Sequence, residues 1–224
     1  MTKEDNNQQE NPRLETIDGI LTLVDGKTGF SGDFTRLKKR LTHANLSHEM
    51  LIKAAKVRNA PMPLQVLDAT AGMGEDSLLL AAAGYTVDLC EKNPVIYALL
   101  EDAYKRALLD PELKPVAERM HVENRDSIKL MRSDDYKPDI VYLDPMFPKR
   151  EKSSLVKKKF QLIHGLEEPC DNEAELINAA IKSAKIRVIV KRPEKGAFLA
   201  GMKPDYSIKG SSVRYDCYVT GRQN

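Results

Sequence analysis

The chain is poor in cysteine and has no long apolar run. Its three cysteines among 224 residues, Cys90, Cys170 and Cys217, lie far apart and include no Cys-x-x-Cys pair. That excludes a disulfide framework and a zinc ribbon, so free thiols in a reducing compartment are expected. The longest apolar stretch, Leu78–Ala83 with its flanks, is well short of the roughly 20 residues that span a bilayer. The opening MTKEDNNQQENP is polar and has no apolar h-region. Neither a secretory signal nor a membrane anchor is expected, and a cytoplasmic location follows. There is no excess of charge either, with 35 Lys and Arg against 33 Asp and Glu. Any preference for nucleic acid must therefore be local. Two nucleotide and hydrolase signatures, the Walker A lysine motif and the Gly-x-Ser-x-Gly elbow, are missing. Four histidines make no metal site: His43 and His48 are off one helical face, His121 and His164 are isolated, and no metal is expected.

What is present suits one globular core. With 42% hydrophobic and 30% charged residues, the chain can bury a single sizeable core with a small appendage. Residues 1–15 read as a disordered tail. Ile20–Val24 and Phe30–Phe34 around a glycine turn suggest a hairpin, and Arg36–Arg58 a helix broken near Asn45–Ser47. Ala60-Pro61-Met62-Pro63 is a hinge, which divides the chain into an N-terminal α+β extension (1–60) and a main domain (61–224). From Leu64 strands and helices alternate: strands at Leu64–Ala69, Tyr85–Cys90, Met120–Glu123, Asp139–Leu143 and Ile186–Val190. Between them lie helices at Glu75–Ala83, after Asn93-Pro94, around Val156, Phe160 and Ile163, and around Leu176, Ala180 and Ala184. Repeated β-α units imply an α/β fold, a doubly wound and mostly parallel sheet with helices on both faces. Tyr206–Lys209 and the alternating Val213–Val219 predict a C-terminal antiparallel hairpin.

The first strand of the main domain runs into Asp68-Ala69-Thr70-Ala71-Gly72-Met73-Gly74-Glu75-Asp76. Two glycines at a strand-to-helix turn let backbone approach a ligand closely. The second strand ends at Glu91, 23 positions after Asp68, where an acid can accept hydrogen bonds from both hydroxyls of an adenosine ribose. A dinucleotide would seat its pyrophosphate at the helix N-terminus. Glu75 and Asp76 would repel it, and Ser77 stands where the third fingerprint glycine belongs. S-adenosylmethionine carries an ammonium and a sulfonium but no phosphate, so acids suit it and it is the expected cofactor.

The strand Ile140–Leu143 ends in Asp144-Pro145-Met146-Phe147-Pro148, a stiff loop at the strand edge where α/β sheets place ligands. Methyl transfer to an exocyclic amine needs such a loop, because the amine's lone pair is delocalised into its ring. Asp144 and the carbonyl of Pro145 can hold the two amine hydrogens and aim the lone pair, while Phe147 stacks on the base. These three are the candidate catalytic residues.

Asp-Pro-Met-Phe resembles the Asp/Asn-Pro-Pro-Tyr/Phe motif of class I amino-methyltransferases. DATAGMGEDSLLLA, LCEKNP, YLDPMFPKREKSSLVKKK and VIVKRP together resemble the RsmJ family, which methylates guanine N2 in 16S ribosomal RNA. The resemblance covers most of residues 64–219 and implies a Rossmann-like class I sheet. It maps the cofactor site onto Gly74, Glu75 and Asp76, then Glu91 and Lys92, Asp126 and Ser127, and Asp144, beside Asp68 and Gly72 of the turn. Thr70 departs from the first glycine of many methyltransferases, and Met146 from the second proline of the motif.

Lys149–Lys159 (KREKSSLVKKK) follows the loop directly. Lys149, Arg150, Lys152, Lys157, Lys158 and Lys159 read as phosphate contacts of an RNA, with Lys191 and Arg192 extending the patch. The expected partner is 16S rRNA or the small ribosomal subunit. Two rivals stand beside this reading: an amino-methyltransferase on DNA adenine or protein glutamine, and a non-catalytic RNA-binding assembly factor.

Overall fold

The computed structural model describes residues 12–26, 28–145 and 172–221. Strands β1 (Arg13–Ile17), β2 (Ile20–Asp25) and β3 (Thr28–Phe30) open the described chain, followed by a 3-10 helix (Phe34–Leu41) and two short helices, α1 (His43–Leu46) and α2 (Met50–Ala55). The α/β part runs β4 (Gln65–Asp68), α3 (Glu75–Ala82), β5 (Thr86–Glu91), α4 (Pro94–Leu109), α5 (Lys114–Ala117), β6 (Met120–Asn124), α6 (Ser127–Met131) and β7 (Ile140–Leu143). After the segment 146–171 come α7 (Glu173–Ser183), β8 (Arg187–Pro193), β9 (Tyr206–Lys209) and β10 (Val213–Val219).

The main sheet has the order β6-β5-β4-β7-β8-β10-β9. The first five strands are parallel, and β10 is antiparallel to both β8 and β9. Sequence order leaves β4 in both directions, so β4 and β7 flank the switch point where such sheets bind ligands. The strands are apolar on both faces because both are covered. Val66, Val87, Ile140, Tyr142 and Ile189 pack with Leu78, Leu80 and Leu100 of α3 and α4. Their neighbours Leu67, Val141, Leu143, Val188 and Val190 pack against Leu130, Leu176 and Ile177 of α6 and α7.

The N-terminal region differs from the expectation in three ways. Arg13–Ile17, placed in a disordered tail through residue 15, pairs antiparallel with β2 in register Arg13↔Val24 to Ile17↔Ile20. Phe34 leaves the strand: the Asp33 carboxylate accepts from the Thr35 amide at 2.9 Å and starts the 3-10 helix instead. The segment 36–58 is three short pieces, because the chain turns at Thr42 and at Glu49, where extended backbone interrupts helix. Phe34, Leu37, Leu51, Ala54 and Ala55 share the core of α3 and α4, while Leu23 and Phe30 pack on Ile96 and Leu99 of α4. The helix expected around Val156, Phe160 and Ile163 lies outside the described residues.

Candidate functional site

The carboxyl ends of β4, β5, β6 and β7 bring the sequence-marked acids to one edge. Asp68, the last residue of β4, is buried. Its carboxylate accepts from Ser77 Oγ at 2.5 Å and from the Thr70 amide at 3.2 Å. Burial pushes its pKa up to about 7, against the opposing pull of those two donors. The turn that follows needs glycine twice, since Gly72 has φ 53° and Gly74 φ 73°. Gly74 is the left-handed residue before α3, and a Cβ there would stand 2.7 Å from Leu100 Cδ1 and 3.3 Å from Phe34 Cζ.

Glu91 closes the turn from β5. One of its oxygens accepts from the Gly72 amide at 2.9 Å, the other from the Asn93 amide at 2.7 Å. Burial raises its pKa, opposed by those amides. The Gly74 amide is taken by the Ala71 carbonyl at 2.8 Å. The Gly72 and Gly74 amides are thus satisfied within the fold, and Glu75, Asp76 and Glu91 bring carboxylates to the turn. That donor set suits ribose hydroxyls, an ammonium and a sulfonium, and does not suit a pyrophosphate. Asp126 follows β6 and caps α6, its Oδ1 accepting from the Ile128 and Lys129 amides. Ser127 is buried at the start of α6. Lys92 is exposed beside Glu91.

Asp144 follows β7 at the switch point. Its amide donates to Thr70 Oγ1 at 2.7 Å, which binds the end of β7 to the glycine turn. The departure from glycine at Thr70 therefore has a use: a glycine has no oxygen for that bond. Lys191 Nζ donates to Asp144 Oδ2 at 2.9 Å and to Asp76 Oδ2 at 2.7 Å. Tyr142 Oη donates to the same Asp76 oxygen at 2.6 Å. Burial would depress the Lys191 ammonium, but its two carboxylate partners outweigh that and raise its pKa. Burial raises the Asp144 pKa, and Lys191 offsets that only in part. Glu75 is at the protein surface, with Arg36 Nη2 3.7 Å from its Oε1.

Lys191 is a neighbour of Asp144, although the sequence grouped it with the phosphate contacts. Its signal was available: on β8 it shares the face of Ile189, towards α3. Arg192 corrects the same grouping. Strand alternation turns it to the other face, where it is buried, donates to the Ala197 carbonyl at 2.8 Å and faces Glu173. That withdraws it from an RNA surface. Thr70, Ser77 and Tyr142 are the partners that sequence patterning missed. Pro145 is buried directly after Asp144. Phe147, Lys149, Arg150, Lys152, Lys157, Lys158 and Lys159 lie outside the described residues. Among the described residues no cluster of His, Cys, Asp or Glu could hold a metal ion, and no helix is long and apolar enough to cross a membrane.

A glycine turn at the switch point, an acid after the second strand and an Asp-Pro after β7 define a class I S-adenosylmethionine-dependent methyltransferase. A family model described as "Putative SAM-dependent methyltransferase" matches residues 8–220. A ribosomal RNA small subunit methyltransferase J of Dechloromonas aromatica is 44% identical over 191 residues, 84% of this chain and 78% of that protein. One from Pseudomonas aeruginosa is 47% identical over 173 residues, 77% of this chain and 66% of that protein. The crystal structure of a SAM-dependent methyltransferase from Neisseria gonorrhoeae is 32% identical, with a TM-score of 0.76 over 97% of this chain and 86% of that one. The chain belongs to the ribosomal RNA small subunit methyltransferase J family.

Proposed function

We propose that the protein transfers a methyl group from S-adenosylmethionine to the exocyclic N2 amine of a guanine in 16S ribosomal RNA. The observation that carries this reading is the Asp144 carboxylate at the switch point, anchored through its own amide to the glycine turn and followed by Pro145. The names of the relatives supply the RNA, and the family resemblance supplies the guanine N2. A substrate of that kind supports a cytoplasmic location.

The residues that would hold the cofactor are Gly72, Gly74, Glu75 and Asp76 of the turn, Glu91 and Lys92 after β5, and Asp126 and Ser127 after β6. Asp68 braces the turn from beneath through Ser77 and Thr70. The bound cofactor supplies an electrophilic methyl on a sulfonium, and the departing thioether is neutral and keeps the C–S electron pair. Asp144 accepts one hydrogen of the amine and the Pro145 carbonyl the other. That turns the nitrogen lone pair out of conjugation and towards the methyl. Nitrogen forms the new N–C bond, and its surplus proton passes to water. Phe147 stacks on the base, and the run from Lys149 to Lys159 contacts the phosphates on either side.

The test is transfer of labelled methyl to a panel of naked small-subunit RNA, small subunits from cells lacking the protein, bulk tRNA and duplex DNA. Label in N2-methylguanine of the small-subunit RNA, lost in Asp144→Ala, is expected. Label in DNA would overturn the substrate. Cofactor binding with no label on any member would favour a binding factor.

A further inference from the structure

We propose that Lys191 is the positioning residue of the methyl-transfer site. Its ammonium, clamped between Asp76 and Asp144, fixes the Asp144 carboxylate and commits one oxygen so that the other faces the acceptor amine. The inference rests on the reading of Asp144 as the amine acceptor.

Three observations converge on it. First, Asp144 is held twice: its amide by Thr70 Oγ1 at 2.7 Å and its Oδ2 by Lys191 Nζ at 2.9 Å. Among the described residues no donor reaches Oδ1, which leaves that oxygen for a substrate hydrogen. Second, the lysine is itself held. Asp76 Oδ2 takes its second hydrogen bond at 2.7 Å, and Tyr142 Oη donates to that same oxygen at 2.6 Å. A lysine stem has wide rotamer freedom, and two carboxylates in a half-buried site remove it. Third, the charges demand a cation there. Asp68 on β4, Asp76 on α3 and Asp144 after β7 repel one another. Tyr142 of β7 and Tyr215 of β10 lie in the same field, and Arg192 of β8 acts on Asp144 from the opposite face. Among these, Lys191 alone gives Asp144 both a charge and a hydrogen bond. Without it, burial and the neighbouring Asp76 carboxylate would raise the Asp144 pKa further and favour its protonated form. A protonated carboxyl cannot serve as the acceptor on both oxygens.

The experiment compares wild type, Lys191→Met and Lys191→Arg in the full chain, each checked for folding by thermal melting. The first readout needs neither cofactor nor RNA: the titration of the Asp144 carboxyl by carbon NMR, assigned by its loss in Asp144→Asn. Loss of an opposite charge at this range should raise the midpoint by about 1–3 pH units in Lys191→Met. Lys191→Arg should stay near wild type. The second readout is methyl transfer to small subunits from cells lacking the protein. In Lys191→Met, kcat near pH 6 should fall at least about 10-fold and the acid limb of the rate profile should move up with the carboxyl. KM for RNA and the cofactor Kd should stay within about 3-fold, and Lys191→Arg should recover part of kcat. An unchanged Asp144 titration overturns the proposal. So does intact kcat with a raised KM and a shallower salt dependence, which would make Lys191 a phosphate contact. If wild type methylates nothing in the panel, the methyl-transfer reading fails by itself, and the carboxyl titration still decides whether Lys191 governs Asp144.

Discussion

Replacing Gly74 by alanine should destabilise the protein and weaken cofactor binding together, for reasons that can be separated. The backbone there has φ 73°, where an L side chain costs roughly 1–2 kcal/mol. The added methyl would stand 2.7 Å from Leu100 Cδ1, with Leu89 Cδ2 and Phe34 Cζ each at 3.3 Å. Leu100 and Leu89 are both wholly buried, so neither can swing aside without disturbing α4 or β5. Overpacking of this kind costs about 1–3 kcal/mol. The combined loss of about 2–5 kcal/mol is a large share of the roughly 5–15 kcal/mol that holds a domain folded. For a chain of this length it corresponds to a fall in Tm of about 4–20 °C. Gly19 is the control: its φ is 78°, and nothing lies within 4 Å of its Cβ position. Gly19→Ala carries the backbone cost without the clash and should lose about 2–8 °C. Because Gly74 precedes Glu75 and Asp76, relief of the clash must move the start of α3. Cofactor affinity by calorimetry should then drop about 10-fold or more in Gly74→Ala and stay unchanged in Gly19→Ala. Equal melting losses in the two variants, or a Gly74→Ala melt within about 2 °C of wild type, would refute the packing argument.

Asp144→Ala should lower turnover by about 100-fold or more, the scale of removing one preorganised hydrogen-bonding partner, while cofactor affinity by calorimetry stays within about 3-fold. Asp68 makes stability depend on pH. Its folded pKa of about 7 lies above the ordinary 3.8, so the folded state binds the extra proton and stability declines as pH rises from about 4 to 7, then levels. Asp68→Asn should flatten that slope in urea midpoints measured at pH 5 and pH 8; an unaltered slope would assign it to other groups. Changing Lys157, Lys158 and Lys159 together to Ala should weaken RNA binding. It should also make the slope of log affinity against log salt shallower by about 2, if each lysine meets one phosphate.

The α/β order was legible because β4, β5, β7 and β8 are short, largely apolar runs closed by an acid or a proline, while β10 alternates. Asp68, Glu91 and Asp144 could be placed because strand ends are readable and the parallel fold puts those ends on one edge. Their partners were not. Ser77 looked like a missing glycine and Thr70 like a departure, because hydrogen bonds across the turn have no periodic signature. Lys191 and Arg192 looked alike in sequence, and only the pleat of β8 sends one to the catalytic edge and the other beneath Glu173. The N-terminal segment misled for a different reason. Its pattern suits a helix with one break near Asn45–Ser47, yet Asp33 caps it, Thr42 and Glu49 interrupt it, and packing against α3 and α4 selects three short pieces.

The sheet order β8-β10-β9 means that β10 slots between two strands that precede it in the chain. It brings Arg214, whose guanidinium donates to the carbonyls of Pro193, Glu194 and Gly196 and grips Asp216. Until that strand has left the ribosome, β8 is an open edge of valine and isoleucine, and the loop after Pro193 lacks the hydrogen bonds that Arg214 gives it. The newly made chain therefore carries an adhesive, unfinished edge late in its synthesis, from the emergence of β8 until β10 follows it. Truncation before Val213 should yield aggregates rather than a weakened enzyme.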